Sequence, residues 1–363
     1  MSKDLLFFFI IVVIVIVLII SECYFPSHHS PPQHRRIRHF NEAVKYLKQS
    51  DSSFRAIANT HLRDAFGIAN PFVISNTPFH NAYVKRVHSQ LTQLDWKDVV
   101  DRAKLTVDSR ISEIKDIHDV RCAVRTLVMS VALEILGVRG CLHDELVRVG
   151  ILINDIWIGA KDKTIDIPPL REELYGILRG WTNGAFIDDL AGISNVGNER
   201  AILSILIPAY ETMYRVVLPL ITHTTDLSFD IFLDPKSSMS NLDAPTGKGH
   251  SYLALIQETL RLYPVVKRIK RCTLRETVAI DVEAIHHDPE IWKESKKFRP
   301  DRWTNASRCP GFIPFGAGRG RCIANERIVG RIVCIILAVL SPRLPHLNQD
   351  ELQELLQNDR RKV

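Results

Sequence analysis

The chain has 363 residues, 46% hydrophobic and 24% charged, with a net charge of +6. That is enough for one large domain or two ordinary ones around a sizeable core, and the modest, dispersed positive charge argues against a nucleic-acid partner. Seven cysteines at scattered spacings form neither a disulfide framework nor a paired zinc pattern, so a reducing cytosolic setting is expected.

Leu5 to Ile20 is sixteen unbroken apolar residues, slightly under the usual span of roughly 20 for a membrane helix. Tyr24 and Phe25 extend it toward an interfacial belt, and Arg35, Arg36 and Arg38 outweigh Lys3, which places the C-terminal side in the cytosol. A cleaved signal peptide competes, with Ser21 and Cys23 as a weak cleavage pattern. Residues 1–25 are therefore read as an N-terminal anchor and 26–40 as a linker, whose Pro- and His-rich part, Pro26 to Arg38, contains His28, His29 and His34 without ordered metal-ligand spacing. Residues 41–363 form the body.

From Asn41 to about Trp181 the pattern is helical. Trp96 to Asp119, Val120 to Leu136 and Leu142 to Trp157 are expected helices, with Gly137 and Gly140 as breakers, and Pro168 and Pro169 open another. Cys122 and Cys334 sit in apolar runs where buried thiols are expected. Asp188 to Asn198 reads as a loop. Glu199 to Thr225 is apolar nearly all round, the mark of a helix buried mid-domain. Inside it, Pro208 cannot donate to the Ser204 carbonyl, so the helix should open where Glu211 and Thr212 follow. Two fates are open to that pair: chemistry at the opening, or Thr212 bonded back to its own helix and Glu211 paired with Arg215.

Asp226 to His250 reads as a polar surface connection. The helix Ser251 to Leu262 carries Glu258 and Arg261 on one face, and Arg302 follows in Phe298-Arg299-Pro300-Asp301-Arg302. Val265 to Ile285 has β-like runs, including Thr277 to Ile280. His286 and His287 precede a turn and short helix at Asp288 to Trp292, and adjacent histidines rarely converge on one metal ion. Phe315-Gly-Ala-Gly-Arg-Gly-Arg-Cys322 then runs into the apolar stretch Ile323 to Leu340. Gly316, Gly318 and Gly320 permit left-handed backbone or close approach, and Cys322 stands at the mouth of the expected helix, where amide N–H groups, Arg319 and Arg321 would stabilise a thiolate. An inert cysteine in a Gly-rich loop is the bland alternative.

Taken in order, these segments resemble the cytochrome P-450 family, the haem-thiolate monooxygenases, over roughly residues 199–340. The resemblance implies a mainly α fold with a minor β component behind the N-terminal anchor. It implies haem b (heme, iron) as cofactor, with Cys322 as metal ligand in a loop to which Phe315, Gly316, Gly318, Arg319 and Arg321 belong. Glu211 and Thr212 would handle protons on the opposite face, and Glu258, Arg261 and Arg302 would lock the loop structurally. It further implies oxygen insertion into a lipophilic small molecule, electrons from NADPH through a partner reductase, and a membrane site at the endoplasmic reticulum with a cytosolic body. The family usually has arginine or histidine where this chain has Gly320, and glycine where it has Ala324. Those two changes, a first half shorter than the family norm and a short tail after Leu340 leave a catalytically impaired relic with a haem-binding or scaffold role as the alternative.

Overall fold

A computed structural model of the chain describes residues 33–111, 114–161, 165–234, 236, 239–273, 275–303, 310–344, 348, 350–351 and 354–356. The expected anchor, Leu5 to Ile20, and His28 and His29 lie outside the described residues.

The chain enters through a strand. β1 (Gln33–Ile37), placed by the sequence reading in the linker, pairs parallel with β3 (Glu276–Asp281), and β3 pairs antiparallel with β2 (Arg268–Cys272). Burial explains the outcome: Ile37 is 1% exposed and packs with Val278, Ile280 and Ile313. The small sheet therefore fastens the start of the body to its C-terminal half.

Three short helices follow, α1 (Phe40–Gln49), α2 (Ser52–Ala58) and α3 (Thr60–Phe66). Asp51 caps α2 by accepting from the Ser53 N–H. Then come α4 (Thr77–Thr92), α5 (Trp96–Arg110), α6 (Ile117–Ile135), α7 (His143–Gly159), α8 (Ile167–Arg179) and α9 (Ala185–Ser194). The helix expected over Trp96 to Asp119 ends at Arg110, because Asp116 caps a new helix by accepting from the Asp119 N–H. The loop expected at Asp188 to Asn198 is mostly helix α9, which buries Phe186, Ile187, Leu190 and Ala191 on one face and stops at left-handed Asn195. Cys122, expected buried, lies on the exposed face of α6, whereas Cys334 is fully buried.

The centre of the domain is α10 (Asn198–Thr224), packed on α6, α8, α9, α11 (Tyr252–Leu262) and α13 (Glu326–Leu340). It is the one described helix long and apolar enough to cross a membrane, but 72% of its apolar window is buried inside the protein, so it is a core element. The helix continues through Pro208, and the Ser204 carbonyl that proline releases finds other donors: Asn70 Nδ2 at 2.6 Å and Tyr83 Oη at 3.3 Å. Asp226 to His250 is more than a surface connection, since Phe229, Phe232 and Leu242 are at most 2% exposed. Between β3 and the cysteine loop, the short helix falls at α12 (Val282–His286), while Asp288 to Trp292 is a turn closed on the Asp288 carbonyl. The architecture is mainly α with one minor sheet, as the sequence implies.

Candidate functional site

The site is built on a polar knot. Arg261 of α11 donates twice to Glu258, from Nε to Oε2 at 2.9 Å and from Nη2 to Oε1 at 2.8 Å. Arg302 Nε donates to Oε1 at 3.2 Å, the Arg299 N–H to Oε1 at 2.8 Å, and Trp303 Nε1 to Oε2 at 3.0 Å. Glu258 and Arg261 have no exposed surface, and the remaining Arg261 hydrogens reach the carbonyls of His286, Ser295 and Lys297. Two guanidiniums meet one fully satisfied carboxylate, the condition under which a buried ion pair holds its geometry.

The knot positions the loop through rings. Trp303 packs on Phe312 with centroids 4.7 Å apart, and Phe312 stacks on His286 at 5.6 Å. The Ile313 N–H then donates to His286 Nε2 at 3.0 Å. His286 is thus a structural acceptor, and burial pushes it down to about 3, so it is neutral. His287 turns its Nε2 to the Leu262 carbonyl instead, so the two histidines do not converge.

From Ile313 the loop closes on itself. The Gly316 N–H donates to Ile313 O at 3.0 Å, the Cys322 N–H to Phe315 O at 2.9 Å and the Arg321 N–H to Gly318 O at 3.1 Å. Gly316 and Gly318 take φ of +72° and +69°, which L side chains rarely adopt. A Cβ on Gly318 would also lie 2.7 Å from the Leu47 carbonyl of α1, so the loop sits directly on that helix. Helix α13 begins at Glu326 with Asn325 as its cap, and Cys322 consequently stands outside the helix mouth where the sequence placed it. Burial pushes the Cys322 thiol up, and the neighbouring Ala324 and Ile323 amides and the Arg321 charge offset this only in part. Solvent reaches the residue, yet protein atoms crowd its sulfur.

Arg319 and Arg321 turn outward. Both are exposed, Arg319 donating to Asn81 Oδ1 at 3.3 Å and Arg321 standing 3.9 Å from Glu326. The buried cations at the loop are others: Arg55 of α2 and Arg271 of β2, each 6% exposed. Arg55 Nη1 donates to the Gly320 carbonyl at 3.3 Å, but its Nε and Nη2 are buried without a partner. Among the described residues neither guanidinium has an ion-pair partner, and burial together with the Arg271 charge pulls Arg55 down to about 10. His80 of α4, 9% exposed with an unpartnered Nδ1, is also lowered by burial and by the charges of Arg55 and Arg319. Sequence reasoning missed all three. Lys85 and Arg86, nearby in sequence, are not among these buried cations; Arg86 pairs with Asp189 at 2.7 Å. Buried donors without acceptors beside a glycine cradle and a cysteine sulfur suit a flat metal-bearing group with carboxylates at one edge.

On α10, Glu211 is nearly buried and pairs with Arg215 at 3.2 Å, while Thr212 Oγ1 donates to Pro208 O at 2.7 Å. Of the two fates the sequence left open, the structure shows the internal one. Burial, Arg215 and Lys270 of β2 lower Lys161, with Glu211 acting in the opposite direction, and burial with Lys161 and Lys270 lowers His61 of α3.

A family model described as Cytochrome P450 matches residues 252–325. Cytochrome P450 714B2 of Oryza sativa subsp. japonica is 31% identical over 113 residues, 25% of this chain and 21% of that protein. Cytochrome P450 3A16 of Mus musculus is 25% identical over 191 residues, 46% of this chain and 38% of that protein. In these matches the chain spans less than half the length of either relative. Among solved structures, a retinoic acid-bound cyanobacterial CYP120A1 superposes with a TM-score of 0.62 at 16% identity, covering 84% of this chain and 81% of that one. A zebra fish cytochrome P450 with abiraterone gives 0.58 at 17%, covering 89% and 88%. At such identities the likeness is one of fold.

Proposed function

We propose that the chain, whose residues 252–325 match the Cytochrome P450 family model, is a haem-thiolate monooxygenase with Cys322 as the iron ligand. The observation that carries the reading is the cysteine loop, braced by the Glu258 knot and bordered by the buried Arg55 guanidinium and His80 ring, whose Nε and Nη2 and whose Nδ1 have no partner. When bound, haem supplies oxygen activation and the insertion of one oxygen atom into a lipophilic small molecule.

The chain's own residues divide the remaining work. Cys322 would hold the iron as a thiolate, with the Ala324 and Ile323 amides stabilising the sulfur's charge. Phe315 fixes the loop by accepting the Cys322 N–H, and Gly316 and Gly318 let the backbone approach the cofactor. Arg55 and Arg271 would hold its carboxylates. Glu211 stands beside Thr212, whose Oγ1 must leave the Pro208 carbonyl before the two can relay a proton outward. Exposed Arg319 and Arg321 form part of a basic face for an acidic, NADPH-dependent reductase. The N-terminal segment anchors this body to the membrane, in keeping with an endoplasmic-reticulum enzyme.

The relic reading draws support from Gly320, Ala324 and the internal bonding of Glu211 and Thr212. One experiment separates the alternatives. Reduced, carbon-monoxide-treated protein is expected to show a red-shifted Soret band that Cys322→Ser abolishes, and reductase with NADPH to oxidise a lipophilic probe. The band without turnover is the relic; no band in the wild type removes the haem-thiolate reading altogether.

A further inference from the structure

A second concave site lies where α5, α6 and the turn into α7 meet. It is a cavity of about 300 Å³, the size at which pockets begin to hold small organic ligands. Leu133, Val138 and Leu146 line it with apolar surface, and Leu142, 66% exposed, stands at its rim. Three guanidiniums border the same space, those of Arg102, Arg110 and Arg139. The walls are fixed by backbone. Helix α6 ends with the Gly137 N–H donating to Glu134 O at 3.0 Å and the Val138 N–H to Leu133 O at 2.9 Å, Gly137 being left-handed at φ +68°. Arg139 then exchanges backbone hydrogen bonds with Thr182, at 2.8 and 2.9 Å.

We propose that this cavity binds a small organic anion, a carboxylate on a compact apolar body, with Arg110 as the cation that holds the head group. The site shares no residue with the cysteine loop and stands whether or not haem binds. Glu134, buried at the end of α6, takes Arg102 Nε on one oxygen at 2.8 Å and Arg139 Nη2 on the other. Neither contact uses the two-pronged geometry of an arginine fork, and among the described residues both terminal nitrogens of Arg102 are left uncommitted. Arg110 pairs with no carboxylate among those residues; its Nη2 donates to the Cys141 carbonyl at 3.1 Å. Glu145, the other acid whose charge reaches Cys141, already accepts from the Leu142 N–H and from Trp181 Nε1. Neutralising Glu134 requires only Arg102 and Arg139. Arg110 and the apolar hollow are what that role leaves over, and a carboxylate with an apolar body completes both: the planar fork matches its oxygens, and the leucine and valine walls take the rest.

The test titrates the full chain by calorimetry with benzoate, its neutral isostere benzamide, and inorganic phosphate. Benzoate is expected to bind about tenfold or more tightly than benzamide, the scale for hydrogen bonds to a charged group. Arg110→Gln should weaken benzoate by a similar factor, leave benzamide unchanged, and keep the ligand-free denaturation midpoint. The place of binding is read at Cys141, which lines the cavity. Burial holds its thiol up at about 12, so alkylation is followed in alkaline buffer, and benzoate should slow it in the wild type but not in Arg110→Gln. A wild type that binds no benzoate overturns the proposal, as does equal benzoate affinity in Arg110→Gln. Benzoate that binds without slowing alkylation at Cys141 sits elsewhere in the chain and overturns it too. Phosphate that binds at least as tightly as benzoate makes the hollow a site for inorganic anions, against the proposal. If Arg110→Gln fails to fold, the wild type decides: benzoate must protect Cys141 better than benzamide does, and equal protection overturns the assignment.

Discussion

Two pairs of buried arginines flank the cysteine loop, and they are partnered in opposite ways. Arg261 and Arg302 converge on Glu258, whose oxygens take five hydrogen bonds from side chains and backbone. Arg55 and Arg271 converge on a carbonyl and a glycine, with no carboxylate between them among the described residues. The first pair is neutralised by the chain's own carboxylate and braces the loop, although Arg302 Nη2 is buried without an acceptor. The second is finished only by something carrying negative charge. A buried cation that the chain does not neutralise is therefore a better pointer to a ligand than one that it does.

The sharpest way to break that contrast is at the knot. Glu258→Ala leaves two buried guanidiniums, the Trp303 indole N–H and the Arg299 amide without their acceptor. Removing one partner of such a pair costs about 3–5 kcal/mol, so chemical denaturation should show a loss of that size. A loss near zero would mean that the knot is as dispensable as an exposed ion pair. The next effect lies at the proline of α10. Asn70→Ala withdraws the shorter donor from the Ser204 carbonyl, 2.6 Å away, and should cost about 1–3 kcal/mol in the same assay. Tyr83 Oη, at 3.3 Å, still reaches that oxygen, which makes Asn70→Ala with Tyr83→Phe worth more than the sum of the single changes.

The two pairs also differ in how legible they were. Glu258, Arg261 and Arg302 announce themselves because the first two share a helix face and the third follows in a recognisable turn. The glycines and Cys322 were readable for a similar local reason. Arg55 and His80 gave no such signal: α2 has no chemistry in its sequence, and their meaning comes from long-range packing against Gly320 and Arg319. The one available hint was negative, a glycine where a cation was expected, and it pointed to a gap without naming what fills it. Strand β1 was missed likewise, since its partner is β3, some 240 residues away on the chain. The helix at Ala185–Ser194 was obscured by its Asp and Gly residues, although its buried face has ordinary helical spacing.

Acid should erode the braced side first. His286 lies in contact with the knot and His223 stacks on Phe298 beside it, centroids 3.9 Å apart. Burial pushes His223 down to about 4, partly offset by Glu258, and His286 to about 3, against an ordinary value of 6.5. Below pH 6.5 the unfolded chain takes up protons that the folded chain refuses, so stability is fully present above that pH and falls as pH drops toward 4. Denaturation midpoints measured across this window should fall with a slope approaching two protons, and His223→Phe should remove part of it. A flat profile would mean that the two rings are protonated in place.

The smallest effect tests how local the knot is. Arg299 adjoins Arg302, and its side chain pairs with Asp301 and Glu294 at the surface, each at 2.6 Å. Its contribution to the knot comes from the backbone N–H, which donates to Glu258 at 2.8 Å whatever the side chain is. Water screens exposed ion pairs, and ordering long side chains offsets most of what Coulomb attraction gains. Arg299→Ala should therefore leave the denaturation midpoint unchanged, next to a position where Glu258→Ala unfolds the site. If the two variants lost comparable stability, the knot would extend into the surface charges, and its isolation from solvent would no longer explain why it braces the loop.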